Sequence, residues 1–233
     1  MPTTGPVRGI LLDSGDTLVR PIGERWWPPL PLRRRLSDGT IPGLQPDRLD
    51  RALQEARQYL EEHHHLATED EEREQFRTCC QILFEHLDLT SSQDQLVDAL
   101  ANETVDEPEF EPYPDTPIVL ERLHQRAIPL GIISNAWPSL ESKYRRLGLR
   151  KYFKAFVVSA QVGCCKPDEA IYQQAIDEMG LPPEDLLFVD DAPEYVEKAI
   201  SLGLTAVVMA RGRQPPQTHL QWIRELAEVE VLF

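Results

Sequence analysis

Residues 9–19 read GILLDSGDTLV, an apolar run that stops at two carboxylates, Asp13 and Asp16, with only Ser14 and Gly15 between them. Gly9–Leu12 have the composition of a strand buried on both faces, and the Ser-Gly-Asp that follows is turn chemistry. Acids at the end of a buried strand are costly there unless a ligand or a partner meets them. The decision about fold and function therefore rests on what else the chain brings to that end.

Outward from this strand the chain changes character twice. Positions 21–46, PIGERWWPPLPLRRRLSDGTIPGLQP, predict an irregular Pro- and Gly-rich excursion with one helical turn near Leu32–Leu36. From Asp47, expected as an N-cap, Leu49, Leu53, Ala56 and Leu60 recur at helical spacing, and REQFRTCCQILFEHL and SSQDQLVDALANETV predict two further helices. After Pro112 short apolar strands (LGIIS, FKAFVVS, LLFVD, TAVVMA) alternate with helices, the pattern of right-handed βαβ units. The expected fold is α/β: a doubly wound parallel sheet over residues 1–20 and 112–233, with an all-helical segment, 21–111, inserted in it. The C-terminal QTHLQWIRELAEVEVLF predicts a packing helix followed by a short apolar strand, whose end suits an edge or dimer contact.

The charge is placed unevenly. Of a net −15, nearly all lies between Glu61 and Glu111, where sixteen acids face two arginines, and this marks the helical segment as a separate lobe. Such a charge opposes nucleic acid and anionic membranes as partners. No apolar run reaches the ~20 residues of a membrane span, and MPTTGPVRG lacks signal-peptide regions, so a cytoplasmic monomer or homodimer is expected. The cysteines fall as adjacent pairs, Cys79-Cys80 and Cys164-Cys165, neither a disulfide framework nor a CxxC site.

Ligands of doubly wound sheets sit at the carboxyl ends of the strands. Here those ends carry Asp13 after GILL, Ser134 and Asn135 after LGII, and Asp190 with Asp191 after LLFV. One such end would read as a helix cap. Three together point to a site, and converging carboxylates with hard oxygen donors call for Mg²⁺. Mg²⁺ suggests a phosphorylated small-molecule substrate. Lys166, in GCCKPDEAIY, is placed to balance charge, and the backbone amides around Ser14, Gly15 and Asn135 are placed to bind phosphoryl oxygens.

LLDSGDTL, IISN, the lysine of CCKPDEAIY and FVDDAPEYVEKA together resemble the four motifs of the haloacid dehalogenase (HAD) superfamily, in the branch with a helical cap between the first two motifs. The resemblance covers residues 7–19 and 112–210 and implies a HAD-like Rossmannoid hydrolase. It makes Asp13 the nucleophile that forms an aspartyl phosphate, Ser134 a phosphoryl ligand and Lys166 the residue that orients Asp13. It makes Asp13, Asp191 and the Gly15 carbonyl direct Mg²⁺ ligands, has Asp190 or Glu194 act through water, and lets Thr17 shape the substrate-binding loop.

One position departs from the family. Its phosphatases read D-x-D-G-T, the second Asp serving as acid/base, whereas this chain reads D-S-G-D-T, with Gly15 at that position and Asp16 where glycine is usual. On an extended chain adjacent side chains point to opposite sides, so Asp16 is not expected to stand in simply, and a weakened acid/base step follows. The 2-haloacid dehalogenases also lack that Asp but do not keep Mg²⁺ ligands. Phosphonate-cleaving relatives need a cap lysine, and the first lysine here is Lys143, beyond the cap. A catalytically impaired binding or regulatory protein is the first alternative, and a 2-haloacid dehalogenase stays open as a lesser one. Within the helical segment, Arg33, Arg34 and Arg35 read as a connector pairing with the acidic lobe, and His63, His64 and His65 as a solvated helix face, with His65 and Glu69 at metal-ligand spacing.

Overall fold

The computed structural model describes residues 7–41, 45–89, 94–212 and 219–232. In chain order the first half runs β1 (Gly9–Leu12), β2 (Val19–Pro21), α1 (Leu30–Ser37), α2 (Pro46–Glu62), α3 (Glu69–His86), α4 (Asp94–Asp106) and β3 (Phe110–Pro112). The second runs α5 (Thr116–Gln125), β4 (Leu130–Ser134), α6 (Leu140–Arg146), β5 (Phe153–Val158), α7 (Ser159–Val162), α8 (Glu169–Met179), β6 (Leu186–Asp190), α9 (Pro193–Ser201), β7 (Thr205–Met209) and β8 (Trp222–Ile223).

Six strands form one parallel sheet in the order β5-β4-β1-β6-β7-β8. The chain lays β4 and β5 on one side of β1, then returns to lay β6, β7 and β8 on the other. The order thus reverses at β1, which opens a crevice at its carboxyl end. Period-2 alternation dresses both faces. Ile10 and Leu12 pack with Leu120, Leu123 and Tyr144 on one side, while Leu11 joins Ile171, Tyr172 and Val196 on the other.

Side chains of the neighbouring strands crowd the face of β4 at residue 131, which is glycine. A Cβ there would stand 2.7 Å from Leu11 Cδ2 and 3.0 Å from Ala155 Cβ.

Helices α1–α4 lie between β2 and β3, which pair antiparallel as the stems of the insert, and they enclose their own cluster around Ala56, Leu60, Phe76, Leu83 and Leu100. Thr68 and Glu71 cap α3 reciprocally. The insert folds over the carboxyl edge of the sheet through polar contacts with the core. Ser139 donates its N–H (2.7 Å) and hydroxyl (2.6 Å) to Glu72, Trp137 Nε1 donates to Gln75 Oε1 (2.9 Å), and Leu66 N donates to Ala160 O (3.0 Å).

Several local expectations are corrected. Pro46 opens α2 with Gln45 as its N-cap, so Asp47 sits in the first turn, where its charge meets the helix N-terminus. The turn expected at Leu32–Leu36 is the eight-residue α1, whose first N–H, on Leu30, is satisfied by Glu109 at 3.0 Å. At the C-terminus the order is reversed: the short strand β8 comes first and a 3-10 helix, Leu226–Val231, follows. Three-residue β2 and β3 were too short to show a period. Among the described residues no helix is long and apolar enough to cross a membrane.

Gly131→Ala forces its methyl into contacts that side chains do not tolerate, at a cost of about 1–3 kcal/mol. Urea unfolding checks this: the midpoint falls, and an unchanged midpoint contradicts the close packing of β4 on β1.

Candidate active site

Because β1 lies between β4 and β6, three strand ends meet. Asp13 follows β1, its N–H continuing the ladder to Val189 O at 2.9 Å; Ser134 ends β4; Asp190 ends β6, with Asp191 next. Lys166 enters from the segment between α7 and α8. Its Nζ donates to Asp13 Oδ1 at 2.6 Å, to Asp190 Oδ2 at 2.5 Å and to the Ile133 carbonyl at 3.0 Å. An ammonium has three protons, and these acceptors take them all. The lysine backbone is clamped by Asn135, whose Oδ1 accepts from Lys166 N (2.7 Å) and whose Nδ2 donates to Lys166 O (3.1 Å). The side chain of Asn135 therefore positions Lys166, which leaves only its backbone for a ligand.

Asp13, Asp190 and Asp191 bring carboxylate oxygens within 4.8 Å of one another. One ammonium does not balance three carboxylates. Burial pushes the Asp13 carboxyl up to about 7, against the pull of Lys166 and with the repulsion of Asp190 and Asp191. Burial works to lower Lys166, but Asp13 and Asp190 overcome it and hold the ammonium above its ordinary range. The donor set is one that could hold a hard divalent cation such as Mg²⁺, which would supply positive charge there. Asp190 has both oxygens engaged, Oδ1 accepting from Ala192 N at 2.9 Å. Asp13 Oδ2 and Ser134 Oγ, by contrast, have no hydrogen-bond partner among the described residues and are not sealed off from the surrounding cavity.

The turn after β1 sets where the Asp16 carboxylate lies. Asp16 is in the left-handed region (φ 54°), so the alternation of an extended chain does not apply, and Asp16 lines the same cavity as Asp13. Trp26 Nε1 donates to its Oδ2 at 3.2 Å. The Trp26 ring also covers Gly15, where a Cβ would lie 3.3 Å from Cζ2. The space beside residue 15 is filled by an indole.

Other expected residues fall differently. Ser14 is buried, and its hydroxyl shares a hydrogen bond with Tyr144 (2.7 Å), leaving its backbone for a ligand. Thr17 is not at the cavity: the left-handed turn at Asp16 carries it into the interior, where its carbonyl accepts from Arg211 Nε and Nη2 (3.1 and 2.9 Å). Glu194 is exposed on α9, outside the carboxylate cluster, because Pro193 starts the helix and directs it away. Arg33 donates to the Ile22 and Gly23 carbonyls and Arg35 to Glu103, so both serve the insert, while Arg34 is exposed. The three histidines follow the end of α2 and do not share a helix face; His64 Nε2 meets Ser159 Oγ at 2.6 Å. Cys79 and Cys80 are buried free thiols that burial pushes up, Cys80 to about 12, and Cys164 and Cys165 are free as well.

A cavity of about 320 Å³ lies between insert and sheet, lined by the residues above and by Trp26, Phe76, Phe110 and Trp137. Lys143, Glu72 and Tyr195 also line it and were not anticipated. For Lys143 the signal was present: Leu140, Lys143, Tyr144 and Leu147 recur at helical spacing, which puts the lysine on the inward stripe of α6.

Comparison with known proteins agrees with this geometry. The chain is 30% identical over 128 residues to a phosphoserine phosphatase of Thermus thermophilus, covering 52% of this chain and 51% of that protein. It is 37% identical over 79 residues to an (S)-2-haloacid dehalogenase of Pseudomonas putida, 34% of this chain and 35% of the relative. The chain thus spans about half or less of the length of these curated relatives. The magnesium-bound crystal structure of YfnB from Bacillus subtilis shares the fold, with a TM-score of 0.63 at 21% identity over 98% of this chain and 99% of that one. The model of the haloacid dehalogenase-like hydrolases matches residues 7–203, the stretch that holds every strand end just described, and the chain belongs to that family.

Proposed function

We propose that this chain is a Mg²⁺-dependent phosphatase that hydrolyses a small phosphomonoester through an aspartyl phosphate on Asp13. The observation that carries the reading is the state of Asp13: one oxygen held by Lys166, the other without a hydrogen bond beside the unpartnered Ser134 hydroxyl. Such a carboxylate is oriented and still able to attack.

Asp13 Oδ2 forms a bond to phosphorus as the bond from phosphorus to the alcohol oxygen breaks. Ser134 and the backbone amides of Ser14, Gly15 and Asn135 hydrogen-bond the phosphoryl oxygens, and Lys166 keeps Asp13 aligned and its charge offset. Asp16, in its protonated form, gives a proton to the departing alcohol. A water then attacks phosphorus, its proton passes to Asp16, and the bond from Asp13 to phosphorus breaks to release inorganic phosphate. Asp13, Asp191 and the Gly15 carbonyl, with Asp190 through water, would hold Mg²⁺, which would supply positive charge to offset the repulsion between the carboxylates and the phosphoryl group. The similarity to a phosphoserine phosphatase supports a phosphoester substrate. The cytoplasm is the proposed compartment, and the insert over 21–111 is the proposed cap.

The similarity to a haloacid dehalogenase favours a second reading, in which Asp13 displaces a halide from carbon. That reading makes no use of a cation at the cluster of Asp13, Asp190 and Asp191.

Hydrolysis of 4-nitrophenyl phosphate separates these readings. Activity depends on Mg²⁺, vanishes on chelation, returns when Mg²⁺ is restored, and is absent in Asp13→Asn. Metal-independent halide release from 2-chloropropionate, or no turnover of either substrate, contradicts the proposal in favour of the dehalogenase or the binding protein respectively. Asp16→Asn lowers kcat by about 10²-fold or more on an alkyl phosphate, and by much less on 4-nitrophenyl phosphate, whose leaving group needs no proton. Equal losses on both esters remove Asp16 from the acid/base role.

A further inference from the structure

The cavity contains a second cation with nothing to hold. Of the residues lining it, only Lys166 and Lys143 are basic, and Lys166 gives its three protons to Asp13, Asp190 and Ile133. Lys143 is 5% exposed on α6, yet among the described residues its Nζ has no hydrogen bond and no ion pair. The ammonium is not sealed in protein but opens on the cavity, where its protons are available to an anionic group of a ligand.

Glu72, which shares the cavity wall with Lys143, is engaged elsewhere. Both its oxygens accept from Ser139, so it docks the insert on the start of α6. Burial raises the Glu72 carboxyl, and Lys143 is the charge that works most against this; on Asp13 the leading charges are Lys166, Asp190 and Asp191. Lys143 therefore belongs to the insert-facing end of the cavity and the phosphoryl site to the strand ends. The cavity walls also carry the aromatic side chains of Phe76, Phe110 and Trp137. At about 320 Å³ the space is at the small end of ligand pockets, which run ~300–1,000 Å³. A second phosphate at that end would face Glu72 and Glu109 with a single monovalent partner, whereas a carboxylate, with one charge, is matched.

We propose that Lys143 is a specificity-determining residue that binds a carboxylate carried on the alcohol portion of the phosphoester, so that the substrates are small phosphorylated acids. This rests on the phosphatase reading for its catalytic consequence but not for its binding consequence. The recognition group comes from the sheet-side helix α6, with the insert contributing the aromatic cover. Lys143 touches no reacting atom in this account, and its effect is on which ester is held.

The test compares 4-carboxyphenyl phosphate with 4-carbamoylphenyl phosphate, which differ in charge at the far end, using wild type, Lys143→Met and Lys143→Arg. The quantity read is the ratio of kcat/KM values for the two esters, in which the fraction of folded enzyme cancels, and its change from wild type to variant, in which the difference in leaving group cancels. Lys143→Met lowers that ratio by about ten-fold or more, and Lys143→Arg keeps most of it. Equal losses on both esters, the result if Lys143 only supports Glu72 or binds the phosphoryl group, overturn the proposal. If wild type hydrolyses neither ester, the phosphatase reading fails and the subsite is read by binding instead. Quenching of tryptophan fluorescence, with Trp26 and Trp137 in the cavity walls, then gives affinities for 4-carboxybenzylphosphonate and its carboxamide. A preference for the carboxylate that Lys143→Met removes supports the subsite; equal affinities, or no binding of either, overturn it.

Discussion

Lys166 gives a buried ammonium to Asp13, Asp190 and the Ile133 carbonyl at once, and most of the molecule serves to keep it there. Burying ions this deeply is tolerated only with near-complete pairing, since removing one partner of a buried pair typically costs ~3–5 kcal/mol. The parallel sheet provides the acceptors by placing β4, β1 and β6 side by side, so that a carbonyl from one strand and carboxylates from the ends of the other two surround one point. Asn135 fixes the lysine backbone from the end of β4. The cluster remains short of positive charge, which burial expresses in the raised Asp13 carboxyl. The same shortage that strains the unliganded site makes it receptive to a divalent cation.

The turn after β1 is shaped by different forces. Arg211 bridges Asp115 and the Thr17 carbonyl, with Tyr113 under its guanidinium at 4.3 Å, and so ties the far side of the turn to the start of α5. The near side is left to Asp16, whose left-handed backbone and bond to Trp26 set its carboxylate in the cavity wall. Glycine at 15 and aspartate at 16 are thus two halves of one arrangement. The indole takes the room beside residue 15, and the acid is carried one position further by a change in backbone hand.

The sheet, its βαβ order and the convergence of Asp13, Ser134, Lys166, Asp190 and Asp191 were legible because each depends on a local pattern: an apolar run, then a polar residue, at every strand end. The helices of the insert were legible from their apolar stripes. What the sequence did not disclose depended on geometry that no period records. Asp16 takes the left-handed region and meets Trp26, ten residues away, an arrangement that the alternation of an extended chain does not describe. Thr17 was drawn into the substrate loop by its neighbours, although Arg211, nearly two hundred residues on, holds it inside. The clamp that the Asn135 side chain makes on Lys166 joins residues thirty-one apart and has no local signal. Lys143 lay in plain view on the inward stripe of its helix, but a charged residue on such a stripe has meaning only once the cavity it faces is known.

Trapping the covalent intermediate tests the central claim most directly. The enzyme with Mg²⁺ and 4-nitrophenyl phosphate is quenched in acid during turnover, digested, and the peptides are weighed by mass spectrometry. The account predicts one phosphoryl group on the peptide that contains GILLDSGDTLV, located on Asp13 and missing from Asp13→Asn. Turnover with no phosphoryl adduct, or with the adduct on another residue, contradicts it.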